Sequence, residues 1–232
     1  MKRKVLVSEL RQYLQDRKSR RTWSLAARDG IIATAGILLG FTGAGAGDRT
    51  LMLAATAATV AGVLAAGGAE WSEAASEREA QLNALEVEIA ELQKQKSVQE
   101  AEIVEYYRKK GLSQDLAVRV ASELIVRSPL KTAMESEHGI LKLTSQAEVV
   151  LTGVSAAIAY FLGAAIPLVM TFFLPVDIEA EVIFVAALVS LTFISFIGAR
   201  VGDMDVSRNV IRTLVVGVGT IAISYAVGEI AF

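Results

Sequence analysis

The sequence has 232 residues, of which 53% are apolar and 21% are charged, with a net charge of −2, no cysteine and one histidine. The lack of cysteine excludes disulfide scaffolds, thiolate zinc sites and iron–sulfur clusters, and one histidine excludes a multi-histidine metal centre in a single chain. The near-neutral charge gives no support for nucleic-acid binding. A mean hydropathy of +0.46 is high for a chain in which 21% of the residues are charged. The apolar and charged residues must therefore be segregated along the chain.

The first 28 residues are predicted to form a basic amphipathic segment on a membrane surface. They hold nine Lys and Arg residues. The apolar residues that share a helix face in this segment are Leu6, Leu10, Tyr13 and Leu14. Such a segment either binds anionic lipid or serves as a positive anchor that sets the orientation of the chain.

Five later stretches are nearly uncharged, and each reaches the roughly 17–25 residues that a helix needs to cross a bilayer. They are 30–47, 51–69, 149–174, 182–199 and 210–232. The first two are rich in Gly, Ala and Thr, which is typical of membrane helices that pack closely. The sequence therefore predicts an all-α membrane protein, with transmembrane helices 1 and 2 in residues 29–69 and helices 3 to 5 in residues 147–232.

The positions of the basic residues predict how the chain is oriented. With five crossings and a cytosolic N-terminus, 22 of the 23 Lys and Arg residues lie on the cytosolic side. The C-terminus is then expected outside. We expect a multi-pass integral membrane protein, in the cytoplasmic membrane if the source is prokaryotic.

Residues 70–146 are predicted to form a cytosolic helical domain between the second and third membrane helices. This insert holds 14 of the 25 acidic residues. No glycine lies between Gly68 and Gly111, so the second membrane helix is predicted to continue into the insert through a coiled-coil-like seam. The seam residues are Leu82, Leu85, Ile89 and Leu92. Three further helices are predicted, at about 99–110, after Ser113 and at 129–137.

Several acidic residues lie three positions apart and therefore share a helix face. The pairs are Glu70 with Glu73, Glu88 with Glu91, and Glu102 with Glu105, and Met134 precedes Glu137 at the same spacing. Packed together, such faces form an oxygen-rich site for a divalent metal ion. The alternative is an ordinary solvated, charged helix surface.

Asp29 begins the first apolar stretch, where it is either a helix N-cap or a carboxylate on a transport path. Glu70 and Glu73 leave the second stretch on the same predicted side, and Glu229 lies near the end of the fifth. Ionisable groups at membrane depth are candidates for function.

These residues carry a resemblance to the vacuolar iron transporter family. Asp29 and Gly30 opening a Gly- and Ala-rich helix resemble its first membrane helix, and the run Ala-Ala-Gly-Gly-Ala-Glu-Trp at 65–71 resembles its second. In the insert, 102–107 leading to Gly-Leu at 111–112 is similar to the family's acidic helix. The run Met-Glu-Ser-Glu-His-Gly-Ile at 134–140 resembles its Met-x-x-Glu-Leu-Gly-Leu element.

The resemblance implies a homodimer of five-helix subunits that exports cytosolic Fe²⁺, often also Mn²⁺, in exchange for protons. It implies a transport path at the dimer interface, with Asp29 as the carboxylate that takes metal or proton and Glu70 at the cytosolic mouth. The metal ligands that it implies in the insert are Glu88, Glu91, Glu102, Glu137 and Met134, with Glu105 adjacent.

The sequence departs from the family pattern at ligand positions. A family methionine falls on Ala66, a second falls on Ala133, and a family glutamate falls on Gln99 with Glu100 beside it. A thioether ligand favours softer ions, so its loss leaves the choice between Fe²⁺ and Mn²⁺ open.

We therefore expect a divalent-metal transporter that works by alternating access and metal–proton exchange, with no tightly bound cofactor. The alternative is a membrane sensor or scaffold that does not transport and whose insert binds a partner. An enzyme is not expected, because the chain has no nucleophile elbow, no cysteine nucleophile, no phosphate-binding loop and no histidine pair.

Overall fold

The computed structural model describes residues 16–92, 96–173 and 176–231, and the side chains among them except those at 17–18, 92, 96–99, 176–179 and 231. The described residues form eight α-helices joined by short links, so the predicted all-α fold is confirmed. The helices are α1 Arg17–Gly43, α2 Asp48–Leu92, α3 Lys96–Lys109, α4 Gln114–Arg127, α5 Pro129–His138, α6 Gln146–Phe173, α7 Val176–Val201 and α8 Val206–Ala231.

Five of these helices are long and apolar enough to cross a membrane, which confirms the predicted number. The candidate spans are Ser19–Gly43, Asp48–Glu91, Gln146–Phe173, Ala180–Val201 and Val206–Ile230. The residues that the structure describes belong to two compact units. The first comprises Met1–Ser72 and Val150–Phe232, and the second comprises Glu73–Val149.

Helix α1 begins well before the first uncharged stretch, so the first of the two alternatives for Asp29, a helix N-cap, is wrong. The N-cap is Asp16, whose carboxylate accepts a hydrogen bond of 2.9 Å from the Ser19 backbone N–H. The helix continues through the basic residues because Ala26 and Ala27 between them are buried. The described part of the predicted 1–28 segment therefore belongs to α1, and Leu6, Leu10, Tyr13 and Leu14 lie outside the described residues.

In the first unit, glycines let helix backbones approach closely. A Cβ atom on Gly228 of α8 would lie 1.9 Å from the Gly40 carbonyl oxygen of α1, and one on Gly163 of α6 would lie 1.9 Å from the Ala27 carbonyl oxygen. No side chain fits at these distances. Helix α1 therefore packs backbone to backbone against both α6 and α8, as small residues allow in membrane helices.

In the second unit, the part of α2 beyond Ser72 joins three shorter helices. Helix α2 runs unbroken for 45 residues, which confirms that it continues beyond its apolar stretch. Within the single chain, Leu82 and Ile89 of the predicted coiled-coil-like seam are 37% and 42% exposed, so the seam stays a prediction. Among the described side chains of α2 beyond Ser72, Glu88 is the fully buried one.

Candidate metal centre

Three side chains of the second unit, Glu88 from α2 and Glu137 and His138 from α5, bring potential metal-ligating atoms together. One ligand atom from each lies within 4.8 Å of the others. The His138 Nε2 atom is 3.6 Å from the Glu88 Oε2 atom. The His138 side chain is 32% exposed, whereas that of Glu88 is fully buried. The group therefore reaches from the interior of the unit to its surface.

The ends of α5 fix the positions of Glu137 and His138. Pro129 occupies the first turn, where its missing N–H costs no helical hydrogen bond. Gly139 ends the helix in the left-handed conformation, with a φ of 67°. Glu137 and His138 consequently lie in the last turn, where the partial negative charge of the helix C-terminus favours a nearby cation.

A further carboxylate, Glu102 from α3, is hydrogen-bonded to Glu137. Two carboxyl groups can make this bond only if one of them carries a proton. Partial burial, followed by the negative charges of Glu88 and Glu102, raises the pKa of Glu137 from 4.5 to about 7. The charge of Glu91 acts in the same direction. Since the carboxylates repel one another, a bound proton or a divalent cation would stabilise the cluster.

In the first unit, Asp29 lies in the interior of the candidate span Ser19–Gly43, and its side chain is 60% exposed. Its Oδ1 atom is 3.5 Å from Nε of Arg28, and Arg28 in turn approaches the Thr213 hydroxyl of α8 through Nη1, also at 3.5 Å. Asp29 also interacts electrostatically with Tyr160 of α6. This part of the first unit therefore holds a carboxylate with a cation and a hydroxyl nearby.

Glycines hold Tyr160 beside Asp29. A Cβ atom on Gly30 would lie 2.2 Å from the Tyr160 carbonyl oxygen, and one on Gly62 of α2 would lie 2.2 Å from the Tyr160 hydroxyl. Helices α1, α2 and α6 thus converge on one buried tyrosine. The arrangement requires glycine at both positions, while the Asp29 side chain remains accessible.

The family model of the VIT family matches residues 21–229. The chain belongs to the VIT family. This is the vacuolar iron transporter family that the sequence resembles. The protein is therefore a membrane protein that transports metal ions. The VIT family is a family of transporters rather than of enzymes. No curated protein matches the chain.

Two other residues that the VIT resemblance implies as ligands lie in the second unit in different surroundings. Glu105 forms an ion pair of 3.3 Å with Arg108 on its own helix. Met134 is 4% exposed and lines a cavity of about 330 Å³ together with Leu85, Leu130 and other residues. That Glu105 and Met134 bind a metal ion stays a prediction.

The remaining predicted positions are distributed along α2 and α3. Ala66 and Glu70 are half-buried, and Glu73 and Glu100 are exposed. Gln99 belongs to α3, but its side chain lies outside the described residues. Ala66 carries no ligand atom, so the VIT methionine position in the second membrane helix contributes no thioether here. Glu229 is exposed near the end of α8.

His138 lies within the VIT-like run at 134–140, but the sequence predicts no role for it. The available signal was its position between Glu137 and Gly139 at the predicted end of a helix. The sequence alone does not show that α2 brings Glu88 to within 3.6 Å of this imidazole, since the two residues are 50 positions apart.

Proposed function

We propose that this VIT-family protein exports Fe²⁺, Mn²⁺ or both from the cytosol in exchange for protons, as a homodimer that works by alternating access. The observation that carries the proposal is the Asp29 side chain, which is 60% exposed although it belongs to a membrane-spanning helix. A carboxylate at such a depth is costly unless a cation, a proton or water accompanies it.

A second copy of the chain offers a reason for this exposure. In a two-fold dimer the same surface patch of both subunits meets, so the two Asp29 side chains would face one shared path. Two carboxylates hold a divalent ion well, and they bind protons when the ion leaves. The same oxygens cannot hold a metal ion and protons at once. Proton binding on one side of the membrane therefore releases the ion there, and ion binding on the other side releases the protons.

The cluster in residues 73–149 supports a second part of the proposal, in which this unit is cytosolic and collects the ion. Glu88, Glu102 and Glu137 supply the oxygen ligands that Mn²⁺ and Fe²⁺ accept. A proton bound to Glu137, whose pKa is raised to about 7, would leave when the ion binds.

The distribution of basic residues supports the orientation that this direction of transport needs. With the N-terminus and the second unit in the cytosol, 22 of the 23 Lys and Arg residues lie on that side. The C-terminus then lies outside, and export moves the ion away from the collecting unit.

The test is ion flux in liposomes that contain the purified full chain. Mn²⁺ and Fe²⁺ are followed with the interior more acidic than the exterior, and then with the gradient reversed. We expect ions to accumulate on the acidic side, and Asp29→Asn to slow this flux at least about tenfold because the variant cannot exchange a proton for the ion.

The matched control is Glu181→Gln, which neutralises another exposed acid within a candidate span and should leave the flux unchanged. The proposal is wrong if neither ion moves in the wild type, or if Asp29→Asn transports as fast as the wild type. Flux that does not depend on the direction of the pH gradient would contradict proton exchange.

A further inference from the structure

We propose that His138 is itself a ligand to the divalent ion in the second unit, through Nε2, together with Glu88 and Glu137. The inference rests on the proposed function to the extent that this unit binds metal. It goes further because it makes the site a mixed nitrogen–oxygen centre, in a chain whose one histidine lies at this position.

The distance between the imidazole and the buried carboxylate supports an ion between them. At 3.6 Å, His138 Nε2 and Glu88 Oε2 lie within ion-pair distance of each other but too far apart for a direct hydrogen bond. Ligand atoms that each lie about 2.0–2.2 Å from one transition-metal ion are roughly 3–4 Å apart. The observed distance falls within that range.

The pattern of burial gives the ion both a reason to bind and a way in. Glu88 is fully buried, and a divalent cation beside it would compensate the charge of its carboxylate in the interior. His138 and Glu137 lie at the accessible edge of the group, so an ion can enter from solvent. Glu137 can close the 4.8 Å spread of the ligand atoms by a small side-chain movement, because its side chain is exposed.

An imidazole ligand affects which ions the site prefers. Oxygen-only sites suit Mn²⁺, whereas imidazole nitrogen favours ions later in the first transition row, such as Fe²⁺ and Co²⁺. We therefore expect His138 to contribute more to the affinity for Co²⁺, an air-stable substitute for Fe²⁺, than to the affinity for Mn²⁺.

The decisive measurement is pulsed electron paramagnetic resonance of Mn²⁺ bound to the full chain in lipid nanodiscs, without a histidine tag. Because the chain has one histidine, labelling histidine with ¹⁵N labels position 138 alone. We expect a directly coordinated nitrogen signal that changes with the label and disappears in His138→Gln. Ser136→Ala is the matched control on the same helix and should keep the signal.

Binding titrations with the same samples measure the effect on affinity. His138→Gln should weaken Co²⁺ binding by at least about tenfold, the lower end of what loss of a metal-site group costs, and should weaken Mn²⁺ binding less. Equal affinities for the variant and the wild type would overturn the inference.

A second variant tests the position independently of the imidazole. The chain has no cysteine, so in His138→Cys any thiolate-to-Cd²⁺ charge-transfer absorption comes from residue 138. We expect that band on Cd²⁺ binding. Cd²⁺ binding without the band would place residue 138 outside the coordination sphere.

The outcomes separate this inference from the proposed function. Mn²⁺ binding that is weakened by Glu88→Gln but shows no histidine nitrogen would remove His138 and leave a carboxylate site. If the wild type binds none of these ions in the second unit, both the inference and the collecting role fail. Asp29-dependent flux would survive either result.

Discussion

Asp29 in the first unit and Glu88 in the second are both carboxylates on long helices, yet their side chains are 60% and 0% exposed. The exposed one belongs to a membrane-spanning helix, and the buried one belongs to the acidic unit. This is the reverse of what solvation alone would favour. The contrast agrees with the proposal that each of the two carboxylates binds a cation.

The two units also reach close packing by different means. In the first, backbones touch at glycines such as Gly30, Gly163 and Gly228. In the second, Pro129 and Gly139 fix the ends of a ten-residue helix that carries two of the clustered side chains. The first unit should therefore be sensitive to added volume, and the second to charge and pH.

The largest expected effect comes from adding one methyl group beside Asp29, in Gly30→Ala. Its Cβ atom would lie 2.2 Å from the Tyr160 carbonyl oxygen, which belongs to a helix backbone and cannot yield easily. We expect a loss of about 1–3 kcal/mol or more of stability. Thermal unfolding of the full chain in detergent, followed by fluorescence of Trp23 and Trp71, measures it.

The matched control is Gly219→Ala, where nothing lies within 4 Å of the added carbon. In a helix this change should be neutral or should stabilise by up to about 1 kcal/mol. If Gly30→Ala unfolds at the wild-type temperature, α1 and α6 do not approach as closely as described, and the contrast in packing is lost.

The second-largest expected effect is a loss of stability of the second unit as the pH rises. The pKa of Glu137 is about 7 in the folded state and near 4.5 in the unfolded state, so folding takes up a proton between these values. This contribution to stability is fully present below about pH 4.5 and is lost as the pH rises through about 7. We expect the metal-free second unit to lose stability over this range.

Hydrogen exchange of α3 and α5 in the full chain, corrected for the pH dependence of intrinsic exchange, measures this loss. Glu137→Gln should flatten the pH dependence, whereas Glu135→Gln, which removes an ion pair with Lys110, should not. Mn²⁺ should restore protection most at high pH, because the ion replaces the proton. Protection that rises with pH in the metal-free protein would contradict the cluster.

The membrane-spanning helices of the first unit could be predicted from sequence, because such long uncharged stretches are rare outside membrane helices. The start of α1 could not, since the apolar residues among its basic ones are too few to register as a span, yet Ala26 and Ala27 pack in the core. The spacing of Glu88 and Glu91 indicated a shared helix face. It did not indicate which of them is buried, because burial depends on the packing of α2 against other helices of the unit.

The same limit explains the missed residue. The end of α5 was predicted to within one residue from Pro129 and Gly139, since both have strong local preferences. The pairing of His138 with Glu88 is a tertiary contact, and no local pattern specifies it. Tyr160 beside Asp29 is another such contact, which only the packing of α6 reveals.

The smallest expected effect tests polar contact within the first unit. Thr34 of α1 and Thr59 of α2 are 1% and 3% exposed, and their hydroxyl oxygens are 3.4 Å apart. A double-mutant cycle with Thr34→Val and Thr59→Val should give a coupling of about 0.6 kcal/mol. Thermal or denaturant unfolding of the four proteins in detergent measures this value.

The control cycle combines Thr34→Val with Thr192→Val, because the Thr192 hydroxyl donates to Leu188 of its own helix and should show no coupling to Thr34. Zero coupling between Thr34 and Thr59 would mean that each hydroxyl bonds within its own helix. A coupling above about 1.7 kcal/mol would exceed the largest values typical of membrane helices. The expected small value follows because a threonine hydroxyl separated from its partner can still donate a hydrogen bond to a backbone carbonyl one turn earlier.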